Sequence, residues 1–319
     1  MKRTTNRQFL KRILRVILFI FILMNVIAIF HGYKFTHFDT TVGQRVNPDK
    51  LSTLQKAKML FFGTSLPRPK NTGVPKQPYE TVTIKSNVKL EAWYIKAANP
   101  KGTVLLFHGY QGNKSNLIKA SDEFLKMGYN TLLVDFMGSG GSEGNSTTIG
   151  AIEGVEVKDC FEYIRQKGEQ NIILYGSSMG SAALMKAIDE YRIAPNAIII
   201  GCPFGTMYKT VAARFDIMGV PSFPMAGLLM FWGGVENGFR AFNHNPEEYA
   251  KSVTCPTLLL WGEKDNRVSR GEIDAIYANL AGPKTLKTFP QTGHGAYLDT
   301  DHDAWVAEVQ QFLETINKH

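Results

Sequence analysis

The stretch "YGSSMGSA", Tyr175–Ala182, follows the apolar run "NIIL" and leads straight into "ALMKAI". A strand that ends in Gly-x-Ser-x-Gly and opens a helix must turn so sharply that its central residue is strained, its side chain raised above the sheet. Residues two positions away on either side have to be small, because a β-carbon there would strike the neighbouring strand or helix. Gly176 and Gly180 are equidistant from Ser178, whereas Ser177 lacks that symmetry. Ser178 is therefore the serine this turn exposes. The helix that follows aims its N-terminal N–H groups and positive dipole end at the same point, favouring negative charge there.

Outward from the turn, apolar runs alternate with helical stretches. "ETVTI" and "KLEAWYIKA" alternate with period two and predict paired strands around Ser86-Asn87. "GTVLLFHG", "NTLLVDF", "NIILYG", "NAIIIG" and "PTLLLWG" are continuous apolar runs of the kind buried on both faces of a sheet. "TLKTFP" predicts a further strand. Between and after these lie helical stretches: "SNLIKASDEFLKMG", "AIEGVEVKDCFEYIRQKG", "SAALMKAIDEY", "RGEIDAIYANL" and "DAWVAEVQQFLETI". This alternation predicts an α/β fold, a mostly parallel central sheet with helices on both faces. Phe204 to Tyr249 interrupts the rhythm and contains the uncharged "IMGVPSFPMAGLLMFWGGV". Pro221, Pro224 and Gly233-Gly234 argue for a cap-like insertion, about 204–250, over a second membrane span.

A serine hydroxyl is too weak an acid to attack unaided, so it needs a histidine base and an orienting carboxylate. On a strand–turn–helix elbow these partners follow in the order serine, acid, histidine. Of the seven histidines, His244, His294, His302 and His319 come after Ser178. His294, in "PQTGHGAYL", lies on a glycine-flanked loop just past a strand and is the expected base. His302 sits in acidic "DTDHDAW", His244 in the insertion and His319 at the terminus. In "LLLWGEKDNRV" Asp265 is the expected acid, further out and shorter than Glu263. An oxyanion needs two N–H donors. Met179, directly after the serine, supplies one, and the loop in "LLFHGYQGNKS" the other through Tyr110 or the neighbouring Gln111.

The motifs "HGYQGN", "VDFMGSGGSEG", "GSSMG", "GEKDNRV" and "GHG", in this order, resemble the α/β-hydrolase superfamily over residues 80–317. The nearest branch is the serine aminopeptidase-like and prolyl-oligopeptidase-related hydrolases, which include membrane-anchored bacterial proteins. The resemblance implies a hydrolase domain over residues 80–319 and no cofactor or metal. One departure concerns Asp135-Phe136-Met137-Gly138, where the branch has Asp-Tyr-Arg-Gly. The missing arginine leaves open what braces that loop. Asp135 is expected to be structural.

The chain has 319 residues and a formal charge of +8. Residues 1–38 hold Lys2, Arg3, Arg7, Lys11, Arg12, Arg15 and Lys34 and no acid, which leaves only +1 for the remainder. No basic face remains to track a phosphate backbone, which excludes nucleic acid as a partner. The basic head precedes "ILRVILFIFILMNVIAIF", Ile13–Phe30, apolar except for Arg15 and Asn25 and long enough to span a bilayer. The cation asymmetry predicts a cytoplasmic N-terminus and an extracytoplasmic domain. The exit "IAIFHGYKF", with bulky Phe30 and His31, lacks the A-x-A spacing of small residues at a cleavage site, favouring an uncleaved signal anchor (1–38) over a cleaved signal. Residues 39–79 read as a connector, with a short helix in "LSTLQKAKMLFFG" and then proline-broken chain. Cys160, Cys202 and Cys255 cannot all pair and lack metal-ligand spacing.

The function expected is acyl transfer to Ser178 and then to water, with a small-molecule ester or thioester, a lipid or a peptide as substrate. Esters are favoured over peptides. Phe223, Leu228, Leu229, Phe231 and Trp232 would form an acyl pocket, a membrane-docking surface or merely cap core. A serine aminopeptidase-like peptidase and a catalytically idle membrane-tethered scaffold are the alternatives.

Overall fold

Lys2–Thr36 form one long helix, α1, at the start of a computed structural model that describes residues 2–41 and 52–316. From Arg7 to Thr36, α1 is long and apolar enough to cross a membrane, and most of its apolar side chains as far as Leu23 are exposed. The chain then forms β1 (Phe38–Asp39), α2 (Thr53–Phe62) and β2 (Leu66–Pro67), with β1 and β2 paired in parallel. A capping box starts α2: Ser52 Oγ accepts the Gln55 N–H and Gln55 Oε1 accepts the Ser52 N–H. Leu51, at the start of the expected helix, lies outside the described residues.

The main sheet is built from β3 (Tyr79–Lys85), β4 (Lys89–Ile95), β5 (Thr103–Phe107), β6 (Asn130–Val134), β7 (Ile172–Ser177), β8 (Ala197–Gly201), β9 (Thr257–Gly262) and β10 (Lys284–Phe289). Their order is β10-β9-β8-β7-β5-β6-β4-β3, all in one direction except β4, which is antiparallel to both β6 and β3. The main helices are α3 (Ile118–Lys126), α4 (Glu153–Gln166), α5 (Met179–Tyr191), α6 (Met207–Ile217), α7 (Met225–Asn237), α8 (Pro246–Tyr249), α9 (Arg270–Asn279), α10 (Tyr297–Thr300) and α11 (His302–Ile316). The expected strands and helices all occur, in order.

Period-two geometry sends alternate strand residues to opposite faces. Leu105, Leu174 and Ile200 join one buried cluster with α4 and α5, while Val104, Ile173 and Ile199 join another with Phe124 of α3 and Trp305 of α11. This two-sided burial is why the central strands read as unbroken apolar runs. From β5 the chain goes through α3 to β6 on one side, then returns through α4 to β7 on the other. Strand order thus reverses between β5 and β7, and the crevice beyond their carboxyl ends is where such sheets bind ligands.

Candidate active site

Ser178 stands at the end of β7, beside that crevice, with φ 52° and ψ −110°, and its N–H donates to the Gly201 carbonyl at 2.8 Å. This left-handed backbone is costly for a residue with a side chain and persists only where its surroundings enforce it. Both glycines are sterically required. A β-carbon on Gly176 would lie 2.7 Å from the Gly180 carbonyl carbon, and one on Gly180 would lie 2.4 Å from the Phe107 oxygen. Ser181 Oγ fixes the turn from below by donating to the carbonyls of Gly176 and Gly201.

The loops after β9 and β10 bring the other two expected residues to Ser178. His294 Nε2 lies 3.0 Å from Ser178 Oγ, and His294 Nδ1 lies 2.7 Å from Asp265 Oδ2. Asp265 is locked in turn, because Oδ1 accepts the N–H groups of Arg267 and Val268. Its carboxylate is fully buried, whereas Glu263 is exposed. Ser177 Oγ points instead to Cys202, 4.0 Å from its Sγ. Burial alone would lower the basicity of His294. Cys202, with Sγ 3.9 Å from Nε2, and the Asp265 carboxylate outweigh it, and the imidazole is pushed up to about 10.

The remaining histidines behave differently. His244 is buried between the Tyr249 hydroxyl and the Ile149 carbonyl, and burial pushes it down to about 3. His302 is half-exposed between Glu123 and Asp303, and His319 lies outside the described residues.

The loop after β5 runs close beside the serine. A β-carbon on Gly109 would lie 3.6 Å from Ser178 Cβ, and Tyr110 follows it. Gln111 takes φ 60° and the Gly112 N–H returns to the Gly109 carbonyl, closing a tight turn. Met179 opens α5, so its N–H is one of those without an acceptor inside the helix. Beside this loop lies a cavity of about 340 Å³, lined by Gly109–Gly112, Ser177, Gly295 and Tyr297 among others.

Three residues organise the site without having been singled out from the sequence for that role. His108 is buried; its Nδ1–H donates to the Gly109 carbonyl at 2.8 Å and its Nε2 accepts the Phe136 N–H at 3.1 Å, tying the β5 loop to the β6 loop. Arg68 takes over the bracing that the missing arginine leaves open. Its guanidinium donates to the carbonyls of Gly140 at 2.6 Å, Gly144, Ser139 and Ser142. Lys114 is fully buried between Asp135 and Glu91, with its ammonium 4.5 Å above the Trp93 ring. Burial raises the Asp135 carboxyl, but Lys114 and His108 prevail and hold it below the usual carboxylate range.

The N-terminal helix reaches the site too. Tyr110 donates its hydroxyl to the Phe35 carbonyl at 2.6 Å and stacks on the Phe35 ring, and Arg214 lies over both rings. The only sequence signal for this was the aromatic residue in "HGYQGN".

A mostly parallel central sheet with a strained serine at its switch point, an aspartate and a histidine on the loops after β9 and β10, and a cap between β8 and β9 make up the α/β-hydrolase fold. The chain has the α/β-hydrolase fold and is similar to hydrolases of that fold. The serine aminopeptidase (S33) family model matches residues 98–230, a stretch holding Tyr110, Ser178 and Met179 but ending before Asp265 and His294. The chain is 24% identical over 232 residues to the uncharacterized protein YqkD of Bacillus subtilis, covering 72% of this chain and 76% of that one. A carboxylesterase of Bacillus subtilis is 23% identical over 235 residues, 67% of this chain and 93% of its own. The Pyrococcus furiosus esterase Pf2001 shares the fold with a TM-score of 0.66 at 23% identity, over 78% of this chain and 96% of that chain.

Proposed function

We propose that this protein is a membrane-anchored serine hydrolase, esterase-like, that works through an acyl-Ser178 intermediate. The observation that carries the reading is the continuous relay from Ser178 Oγ through His294 to Asp265, at 3.0 and 2.7 Å. Ser178 Oγ attacks the substrate carbonyl carbon as its proton passes to His294 Nε2. Asp265 holds the Nδ1 proton and stabilises the imidazolium that forms. The oxyanion lies between the N–H groups of Met179 and Tyr110, each such donor worth about 10²–10³ in rate. Collapse expels the leaving group, which takes its proton from His294 Nε2. Water then repeats the sequence on the acyl-serine, and Ser178 regains its proton.

An ester substrate is favoured because the cap contributes α7, apolar except for Glu236 and Asn237 at its end, and an apolar cap suits acyl chains. The serine aminopeptidase match favours a peptide instead. Parallel assays on p-nitrophenyl esters of graded length and on aminoacyl amides decide between them. The mechanism itself is tested with a fluorophosphonate probe. Labelling is expected in the natural protein and in Ser177→Ala and absent in Ser178→Ala; equal labelling of Ser178→Ala would refute the mechanism.

The six cations before Val16 support an anchor with its N-terminus in the cytoplasm and the hydrolase domain outside. The packing supports an uncleaved helix. Trp232 of the cap donates its indole N–H to Asn25 at 3.0 Å, a contact that cleavage near His31 would remove. Protease added to intact spheroplasts should digest the domain, and high-salt washing should not release it.

A further inference from the structure

The cap helix α7 lies along α1, and three contacts fix their relative direction. Trp232 reaches Asn25, a methyl on Gly32 would lie 3.1 Å from the Gly233 nitrogen, and Asn237 donates to Thr36 Oγ1 at 2.9 Å. Residue numbers rise together on both helices, so they run parallel, and the glycines let the backbones approach closely as in membrane helix pairs. The pairing also satisfies the one uncharged polar residue of the apolar stretch. Asn25 donates to the Phe21 carbonyl and accepts from Trp232, so no bare amide remains in the span.

The parallel alignment sets a depth. Going back from Gly233 to Met225 at 1.5 Å per residue covers about 12 Å, and the same distance back along α1 from Gly32 reaches Met24. Met24 lies about 9 Å inside the span boundary at Phe30 on the same rise. The turn joining α6 to α7 therefore stands level with apolar α1 rather than with the aqueous domain. Its side chains match that level: Phe223 is 81% exposed, Met218 64% and Ile217 53%, with Val220 also exposed. No charge occurs from Ile217 to Val235; Asp216 and Glu236 close the stretch at either end.

We propose that the α6–α7 turn is inserted in the bilayer, with Ile217, Met218, Val220 and Phe223 in the hydrocarbon of the leaflet from which α1 enters the hydrolase domain. The four side chains of the turn are exposed, as are most apolar side chains of α1 as far as Leu23. A depth of about 5–10 Å is that of interfacial helices which lie in the membrane without crossing it. The cap is thereby held at the lipid surface at two points, the turn and α1. The proposal rests on the anchor reading and is independent of the chemistry at Ser178.

The test uses full-length protein in phosphatidylcholine nanodiscs, with cysteine introduced singly as Phe223→Cys, Met218→Cys or Ile17→Cys in a Cys255→Ser background. Cys160 and Cys202 are buried. Each cysteine is labelled with bimane, and circular dichroism checks that each variant is folded. Acyl chains brominated near the headgroup are expected to quench positions 223 and 218 severalfold more than aqueous iodide does, with position 17 shielded from iodide. Iodide quenching at 223 and 218 with position 17 shielded would overturn the insertion and leave the anchor standing. Iodide quenching at all three would overturn both.

Discussion

Tyr110→Phe removes one hydroxyl and tests whether the N-terminal helix helps to set the oxyanion site. That hydroxyl donates at 2.6 Å to the Phe35 carbonyl, in the last turn of α1, where carbonyls have no acceptor role within the helix. The phenylalanine keeps the ring stack on Phe35, at 5.1 Å between centroids, and the Arg214 contact, so the loop stays folded. What is lost is a hydrogen bond worth about 0.5–1.5 kcal/mol, and a carbonyl is left unsatisfied at a further cost of up to about 1–3 kcal/mol where water is excluded. If about 1–2 kcal/mol of this appears as looser placement of the Tyr110 N–H, the rate falls about 5–30-fold. The oxyanion exists only in the transition state, so the fall belongs in kcat, with KM little changed. Steady-state kinetics on a short, soluble p-nitrophenyl ester measure it. Phe35→Ala, which removes the stack and leaves the carbonyl, should lower kcat in the same direction. An unchanged kcat in both variants would refute the coupling of α1 to the oxyanion loop and with it the assignment of Tyr110.

Asp265→Asn should lower kcat/KM by about 10⁴-fold with the fold intact, while Glu263→Gln leaves it unchanged. A base whose pKa is raised becomes neutral only as pH climbs, so kcat/KM should rise from neutral into alkaline pH. Because Asp265 is one of the causes of that rise, the residual activity of Asp265→Asn should reach its plateau at lower pH. Gly180→Ala would place a methyl 2.4 Å from the Phe107 carbonyl oxygen, a backbone atom that cannot rotate away. A loss of about 3 kcal/mol corresponds to a Tm roughly 6–12 °C lower by calorimetry, and an unchanged Tm would mean the turn is looser than described. Arg68→Lys loses the planar fork that reaches several carbonyls of 139–144, so limited proteolysis should cut this loop faster than in the natural protein.

The elbow was legible because everything it needs is local: a strand, two glycines and a helix within a few residues of Ser178. The central strands were legible because burial on both faces leaves no polar position. His294 and Asp265 followed from chain order and from the loops that carry them. What escaped the sequence depends on contacts between distant segments. Arg68 meets Gly140 across 72 positions, Tyr110 meets Phe35 across 75, and Trp232 meets Asn25 across 207. No periodicity encodes such pairings. Traces of them exist all the same. Asn25 is a polar interruption in an otherwise apolar run, and Gly32 matches Gly233-Gly234 in size; each asks for a partner that only the fold supplies.

Residues 39–79 read in the sequence as a connector, and a connector alone would leave the spacing of helix and domain open. The contacts just before it do not. The Thr147 N–H donates to the Thr36 carbonyl, the Phe38 N–H donates to the Asn145 carbonyl, and His37 bridges to Ser146. The end of α1 is thus stitched to the β6 loop that Arg68 braces, and through Tyr110 to the loop beside Ser178. A spacer is cheap to lengthen, since a flexible loop gains only about 0.6 kcal/mol of closure cost for each doubling. A stitched helix is not, because any insertion between Phe35 and Phe38 must break either the Tyr110 contact or the bridge at Ser146. The end of α1 and the loop beside Ser178 therefore share one set of contacts, so that with α1 as the proposed anchor the distance of Ser178 from the bilayer would be set by packing and not by tether length. Phe35 lies about 8 Å beyond Phe30 along α1. On the proposed anchor reading, the loop that carries Tyr110 would stand at about that height above the apolar span.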